Sequence, residues 1–231
     1  MESEEFRRQK EENKKRFKTM TIGQKLGFFR DYYLLRTVII VGICAAAVFL
    51  IWNFVRPQTK DILTVYVYDQ YLGDDASDAL AAKTEKLLGA GKREEVLIRS
   101  GLSSSNTQDT AIASVLSFNN AIDVIICPKD QFETFAGYGY FLSLDDVLSD
   151  EEKTALSDKL VAAAGYQESD NDSFDGTAKG EALDYGIDLG SSSVWNSYAE
   201  TTSDEMVAGI VSTTKNRGNA VKFLDMLCDL S

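Results

Sequence analysis

Residues 37–55 read TVIIVGICAAAVFLIWNFV, an apolar run with no charge and a single amide, Asn53. As a helix rising ~1.5 Å per residue it would extend about 28 Å, close to the roughly 30 Å hydrocarbon core of a bilayer. A soluble helix of this length keeps a polar stripe, and this run has none. Trp52 near one end and Tyr32 and Tyr33 before the other stand where interfacial aromatics stand. No small-residue cleavage site follows the run, and Ile43 before Cys44 does not suit lipid attachment, so the expectation is an uncleaved signal anchor.

Charge divides at the same place. Residues 1–36 hold 10 Lys/Arg against 6 Asp/Glu, whereas residues 57–231 hold 13 against 30. Lys/Arg next to a span stays in the cytoplasm, which predicts a single-pass protein of the cell membrane with its N-terminus cytoplasmic and its acidic C-terminal part extracytoplasmic. The expected organisation is a charged arm over 1–36, a transmembrane helix over 37–55, a short linker over 56–60 and an extracytoplasmic domain over 61–231. Within the arm, Thr21 and Gln24 have capping-box spacing, and Ile22, Leu26, Phe29 and Tyr33 form one stripe of a juxtamembrane amphipathic helix.

The chain contains no histidine, so histidine-based triads, histidine-ligated zinc and imidazole acid/base work are excluded. A formal net charge of -12 argues against nucleic acid as a partner, since phosphate binding needs a basic surface. Three cysteines without ligand spacing give no metal site, and no cofactor is expected. Cys127 and Cys228 each lie in an apolar pattern, which favours two small core side chains over a disulfide.

Beyond residue 60 the pattern alternates. ILTVYVY (62–68), EVLI (95–98) and AIDVIIC (121–127) read as strands, with helical segments over about 75–88 and 107–118 between them, the second capped by Asn106 or Thr107. Such alternation predicts an α/β domain in three layers on a mostly parallel sheet with right-handed crossovers. Ser149 and Glu152 form a capping box, residues 161–167 and 178–189 read as a hairpin, MVAGIV (206–211) as a buried strand, and 219–230 as a helix. On that last helix Ala220, Phe223, Leu224, Leu227 and Cys228 share one face, with Lys222, Asp225 and Asp229 opposite.

In a parallel sheet, ligands sit beyond the carboxyl ends of the strands. Those places are 69–75, the hydroxyl-rich SGLSSSN (100–106) and 128–130. Candidate ligand-binding residues are therefore Ser103, Ser104, Ser105, Asn106 and Lys129, with Tyr140 and Trp195 as aromatic faces for a sugar. Residues 171–181, NDSFDGTAKGE, approach a calcium loop, but in that frame Glu181 falls one short of the twelfth position, so a plain turn at Asp175 and Gly176 is favoured. The pair Asp184 and Asp188 and the group Asp145, Asp146, Asp150, Glu151 and Glu152 are the carboxylates available for hydrolytic chemistry.

Two stretches resemble a known family. Residues 121–148, AIDVIICPKDQFETFAGYGYFLSLDDVL, are similar to the strand, helix and aromatic-glycine turn of bacterial extracellular solute-binding proteins of the periplasmic-binding-protein type II kind. Residues 206–227 resemble the returning strand and helix of such chains through Asn216, Ala220, Phe223 and Leu224. The resemblance implies a bacterial surface protein with one lobe of that fold, because roughly 175 residues follow the apolar run. It implies a non-enzymatic binding or interaction module. The alternatives are the ligand-capturing component of an ABC-type sugar or peptide uptake system and a carboxylate-dependent hydrolase. Expected partners are the lipid bilayer, a membrane protein such as a transporter, and a small polar solute.

Overall fold

Alternate residues of three strands enter two separate cores, and this decides the architecture. The computed structural model describes residues 4–19, 21–55, 59–167, 180–200 and 206–230. The chain divides into two compact units, Met1–Pro57 and Gln58–Ser231.

The first unit consists of α1 (Glu4–Thr19) and α2 (Ile22–Val55), the latter one unbroken helix of 34 residues. Val38, Ile39, Ile40, Val41, Ile43 and the aliphatic and aromatic residues from Val48 to Trp52 are more than half exposed on it. Even so, no helix among the described residues is long and apolar enough to cross a membrane. The first part of α2 carries the charged residues Lys25, Arg30, Asp31 and Arg36. The expected transmembrane helix, and the single-pass cell-membrane location drawn from it, are corrected accordingly.

The second unit is an α/β domain. Its elements run β1 (Lys60–Tyr68), α3 (Asp74–Leu88), β2 (Glu94–Leu102), α4 (Thr107–Phe118), β3 (Val124–Pro128) and α5 (Lys129–Gly137). There follow a 3-10 turn at Leu144–Asp146, α6 (Asp150–Ala155), β4 (Leu160–Ala164), β5 (Ala182–Asp188), α7 (Ser193–Tyr198), β6 (Met206–Ile210) and α8 (Arg217–Leu227). The six strands form one sheet in the order β2-β1-β3-β6-β5-β4. The β1/β2 and β1/β3 pairings are parallel, whereas β3/β6, β5/β6 and β4/β5 are antiparallel. The sheet is therefore mixed rather than mostly parallel. An apolar run carries no sign of strand direction, so MVAGI reads the same from sequence whichever way it pairs.

Because side chains alternate across a strand, Leu63, Val65 and Val67 of β1 join Val124 and Ile126 of β3 and Ala208 and Ile210 of β6 on one face. Leu80 of α3, Trp195 of α7 and Phe223, Leu224 and Leu227 of α8 cover that face. Tyr66, Tyr68, Ile125, Cys127 and Val207 point the other way, beneath Phe132 and Phe135 of α5. Burial on both faces is why these strands read as continuous apolar runs. The stacked rings of Phe132 and Phe141, 4.9 Å between centroids, lie over the paired Gly186 and Gly209. A Cβ on Gly209 would fall 2.6 Å from the Phe141 ring.

Chain-local signals form as expected in several places. Ser149 and Glu152 complete a capping box at α6, Asn106 caps α4 by accepting from the Gln108 N–H at 2.9 Å, and β4 and β5 pair as antiparallel neighbours. The turn between them, residues 168–179, lies outside the described residues, and with it most of the calcium-like stretch. Cys127 and Cys228 are free and buried in different cores on opposite faces of the sheet, which excludes a bond between them.

At the amino end of β3 a buried carboxylate ties the strands together. Asp123 accepts from the Thr64 N–H at 2.8 Å, from the Thr214 hydroxyl and from the Asn216 amide at 3.2 Å. Its own backbone N–H donates to Thr64 O at 2.9 Å, and its carbonyl accepts from Val211 N–H at 2.9 Å. A carboxylate supplied with neutral donors in this way is held in place without a cation.

Candidate functional site at the carboxyl end of the parallel strands

The chain leaves β1 for β2 on one side and returns to β3 on the other, with α3 and α4 on opposite faces of the sheet. In open α/β sheets ligands are bound where strand order reverses in this manner, which here is beyond the carboxyl ends of β1 and β3. Three segments meet at that end: 69–73 after β1, 103–106 after β2, and 128–130 after β3.

The segment after β1 is shaped by backbone rather than bulk. Asp69 takes a left-handed φ of 54°, which aspartate tolerates better than most residues. β2 carries an irregularity opposite it: Tyr66 pairs with Arg99, but Tyr68 pairs with Leu102. The extra residue of this bulge is accommodated at Gly101, whose φ is 76°. Gly101 N–H donates to Gln70 O at 3.0 Å, and the Ser100 hydroxyl donates to Leu72 O at 3.0 Å while accepting from Leu72 N–H at 3.1 Å. Tyr71 lies across Gly101, where a Cβ would sit 3.1 Å from its ring, and remains 50% exposed. The result is an aromatic face presented to solvent on a braced loop.

The segment after β2 is pinned by two carboxylates. Asp69 Oδ1 accepts from Ser104 N–H at 3.0 Å, and Asp109 Oδ2 accepts from Ser103 N–H at 3.0 Å. The hydroxyls of Ser103 and Ser105 lie 2.9 Å apart and hydrogen-bond to each other. Tyr68 donates its phenol to Asp109 O at 3.1 Å, which fixes the start of α4 against β1. Burial first, and then the Asp109 charge, push that phenol well above the usual tyrosine range, so it stays protonated. The Ser103 and Ser104 amides are thus already engaged, while the loop's hydroxyls remain at its surface.

The segment after β3 opens α5. Lys129 is exposed there, next to Asp130, whose carboxylate accepts from Gln131 N–H at 2.8 Å. Beneath it Cys127 is enclosed, and burial, then Asp69 and Asp130, raise its thiol well above the ordinary range. A thiol held protonated is neither a nucleophile nor a metal ligand.

The structure thus brings Ser103, Ser104, Ser105, Asn106 and Lys129 to one end of the sheet. The Asn106 side-chain oxygen is occupied as the cap of α4. Tyr140 lies elsewhere, half-buried after α5, with its hydroxyl 2.5 Å from Ser114 Oγ and its ring stacked on Phe135 at 5.5 Å. Trp195 is wholly enclosed in the core under α7 and α8. Sequence reasoning reached the 69–75 segment but singled out neither Tyr71 nor Asp69. The available signal was an aromatic two residues beyond an aspartate at a strand end.

Three of the acidic groups have local structural roles. Asp145 pairs with Lys153 at 2.9 Å, Glu152 serves the capping box, and Asp188 Oδ1 accepts from Gly190 N–H at 2.8 Å in the turn after β5. No group of three or more Cys, Asp or Glu able to hold a metal ion occurs among the described residues. A shallow depression of about 490 Å³ lies at the opposite end of the domain, between α3 and β2, with Glu85, Lys86 and Glu94 in its lining. There Glu85 is committed to Val96 N–H at 3.0 Å and Glu94 to Gly91 N–H at 2.9 Å.

No protein-family model and no curated protein matches the chain. Among solved structures, it is similar to an ABC substrate-binding protein from Listeria monocytogenes in complex with cycloalternan, at 15% identity and a TM-score of 0.31 over 58% of this chain. It is also similar to a protein from Synechococcus sp. MITs9220 described as an oligosaccharide periplasmic-binding protein, at 13% identity and a TM-score of 0.33 over 55% of this chain. The chain spans 29% and 26% of those two proteins. Both likenesses are distant and partial.

Proposed function

We propose that the α/β domain captures a small, polar, hydroxyl-rich solute, as the ligand-capturing component of a sugar or peptide uptake system would, and performs no chemistry on it. The observation that carries this reading is the juxtaposition at the strand-order reversal. The exposed Tyr71 ring, braced on Gly101, and the serine hydroxyls of residues 103–105, whose backbone is pinned by Asp69 and Asp109, lie at the same end of the sheet. An aromatic face with nearby hydroxyl donors and acceptors is what a sugar ring requires: its C–H face stacks, and its hydroxyls exchange hydrogen bonds.

The absence of catalysis in this reading rests on the chemistry of the same place. The chain has no imidazole, the local thiol and phenol are held protonated, and the carboxylates accept from backbone amides. A protein partner that receives the solute, such as a transporter, belongs to this reading.

The test is a thermal-shift and calorimetric survey of the full chain against neutral mono- and oligosaccharides and short peptides. A ligand at 100 times its dissociation constant adds about 2.7 kcal/mol to stability, which moves the midpoint by several degrees. The reading expects a saturable shift with at least one neutral saccharide. No shift with any member of the panel would overturn it.

A further inference from the structure

We propose that Asp69 and Asp109 set the charge class of the ligand, so that the site admits neutral polyhydroxyl compounds and rejects their anionic counterparts. The inference rests on the binding reading above and specifies it. Loops beyond parallel strands ordinarily recognise anions through free backbone N–H groups. Here that capacity is cancelled, because the Ser103 and Ser104 amides donate to the two carboxylates at 3.0 Å each.

The same two carboxylates place a pair of negative charges against the backbone of the serine turn that carries the Ser103 and Ser105 hydroxyls. Asp130 after β3 and Asp74 and Asp75 at the start of α3 add charge of the same sign at this end of the sheet, with Lys129 as the cation of the β3 segment. An approaching carboxylate or phosphate therefore meets an acidic surround, only partly offset by Lys129, and finds the Ser103 and Ser104 amides already taken. A neutral hydroxyl meets neither obstacle and can donate as well as accept.

Asn is the informative substitution at both positions. Its side-chain oxygen can accept from the same amides, and it tolerates the left-handed backbone at residue 69, so the loop is kept while the charge goes. The experiment titrates the full chain by calorimetry with neutral oligosaccharides of glucose, galactose and mannose units, each paired with the same compound after oxidation of its primary alcohols to carboxylates. Two charges a few ångströms away in high dielectric are worth roughly a tenfold effect at low salt.

The expected result is a neutral form bound about tenfold or more tightly than its oxidised partner. In Asp69→Asn/Asp109→Asn the ratio of neutral to oxidised affinity narrows to about threefold or less, whatever the change in the neutral affinity itself. In the unaltered chain, raising sodium chloride from about 20 to about 200 mM is expected to improve the oxidised form alone, a reading that stands if the double variant fails to fold. Equal binding of both forms by the unaltered chain, or a gap insensitive to salt, overturns the charge assignment and leaves the binding function intact. Binding of neither form of any pair overturns both.

Discussion

Replacing Asp123 with alanine removes the acceptor on which three donors converge, and the structure sets the size of the effect. Asp123 is 2% exposed and Thr64 5% exposed, so the Thr64 N–H has no route to water once the carboxylate is gone. An orphaned buried donor costs about 1–3 kcal/mol. Thr214 is also buried, whereas Asn216 is half-buried and can turn outward, so its share is small. Together these give about 3–4 kcal/mol for Asp123→Ala, and about 2 kcal/mol for Asp123→Asn, which keeps one oxygen but aims an NH2 group at existing donors. At 2–4 °C per kcal/mol for a chain of this size, the alanine variant melts about 6–16 °C lower. Urea unfolding followed by the fluorescence of the enclosed Trp195 measures the change, with an unaltered m-value confirming that stability alone has moved. A loss below about 1 kcal/mol in Asp123→Ala would refute the account of this carboxylate as the tie between β1, β3 and the start of α8.

Other consequences are equally specific. Asp225 is half-buried with one carboxylate oxygen unpartnered, and burial, followed by Glu152, raises its folded-state pKa. A carboxyl raised on folding binds protons more readily in the folded state, so its contribution to stability is fully present at acid pH and is lost as pH rises through its folded pKa. Asp225→Asn should then stabilise the protein at pH 7 by a few tenths of a kcal/mol after solvent screening, and flatten the pH profile above pH 4, as melting at a series of pH values would show. For the cysteines, burial raises Cys228 to about 11 and holds Cys127 protonated, whereas Cys44 is exposed. Thiol titration at pH 8 should count one reactive group in the native protein and three after denaturation. Gly209→Val should destabilise by about 1–3 kcal/mol in urea unfolding, because its Cβ would meet the Phe141 ring at 2.6 Å.

Local rules read from the sequence survive where a few neighbouring residues decide the outcome. The cap at Asn106, the box of Ser149 with Glu152 and the buried face of α8 all follow from spacing within one or two turns. Strand order and direction depend on residues far apart in sequence, and β6 shows this: its five buried residues would suit a parallel or an antiparallel neighbour equally well. The apolar run from 37 to 55 forms helix as its composition dictates, but the membrane span expected of it is corrected by the extent of apolar helix among the described residues. At the site, the serine-rich turn was legible because hydroxyls cluster in sequence. Tyr71 was not, since its role depends on a left-handed glycine thirty residues away on the neighbouring strand. Trp195 and Tyr140 looked like sugar-stacking rings because sequence does not distinguish an aromatic face turned to solvent from one enclosed in a core.

The measurement that bears most directly on the account is calorimetric titration of the full chain and of Tyr71→Ala with the neutral oligosaccharide panel. The account predicts saturable binding by the unaltered chain and at least a tenfold loss in Tyr71→Ala with its melting temperature preserved, since that ring is half exposed and carries little of the core. Undiminished affinity in Tyr71→Ala would contradict the placement of the site at the carboxyl ends of β1 and β3.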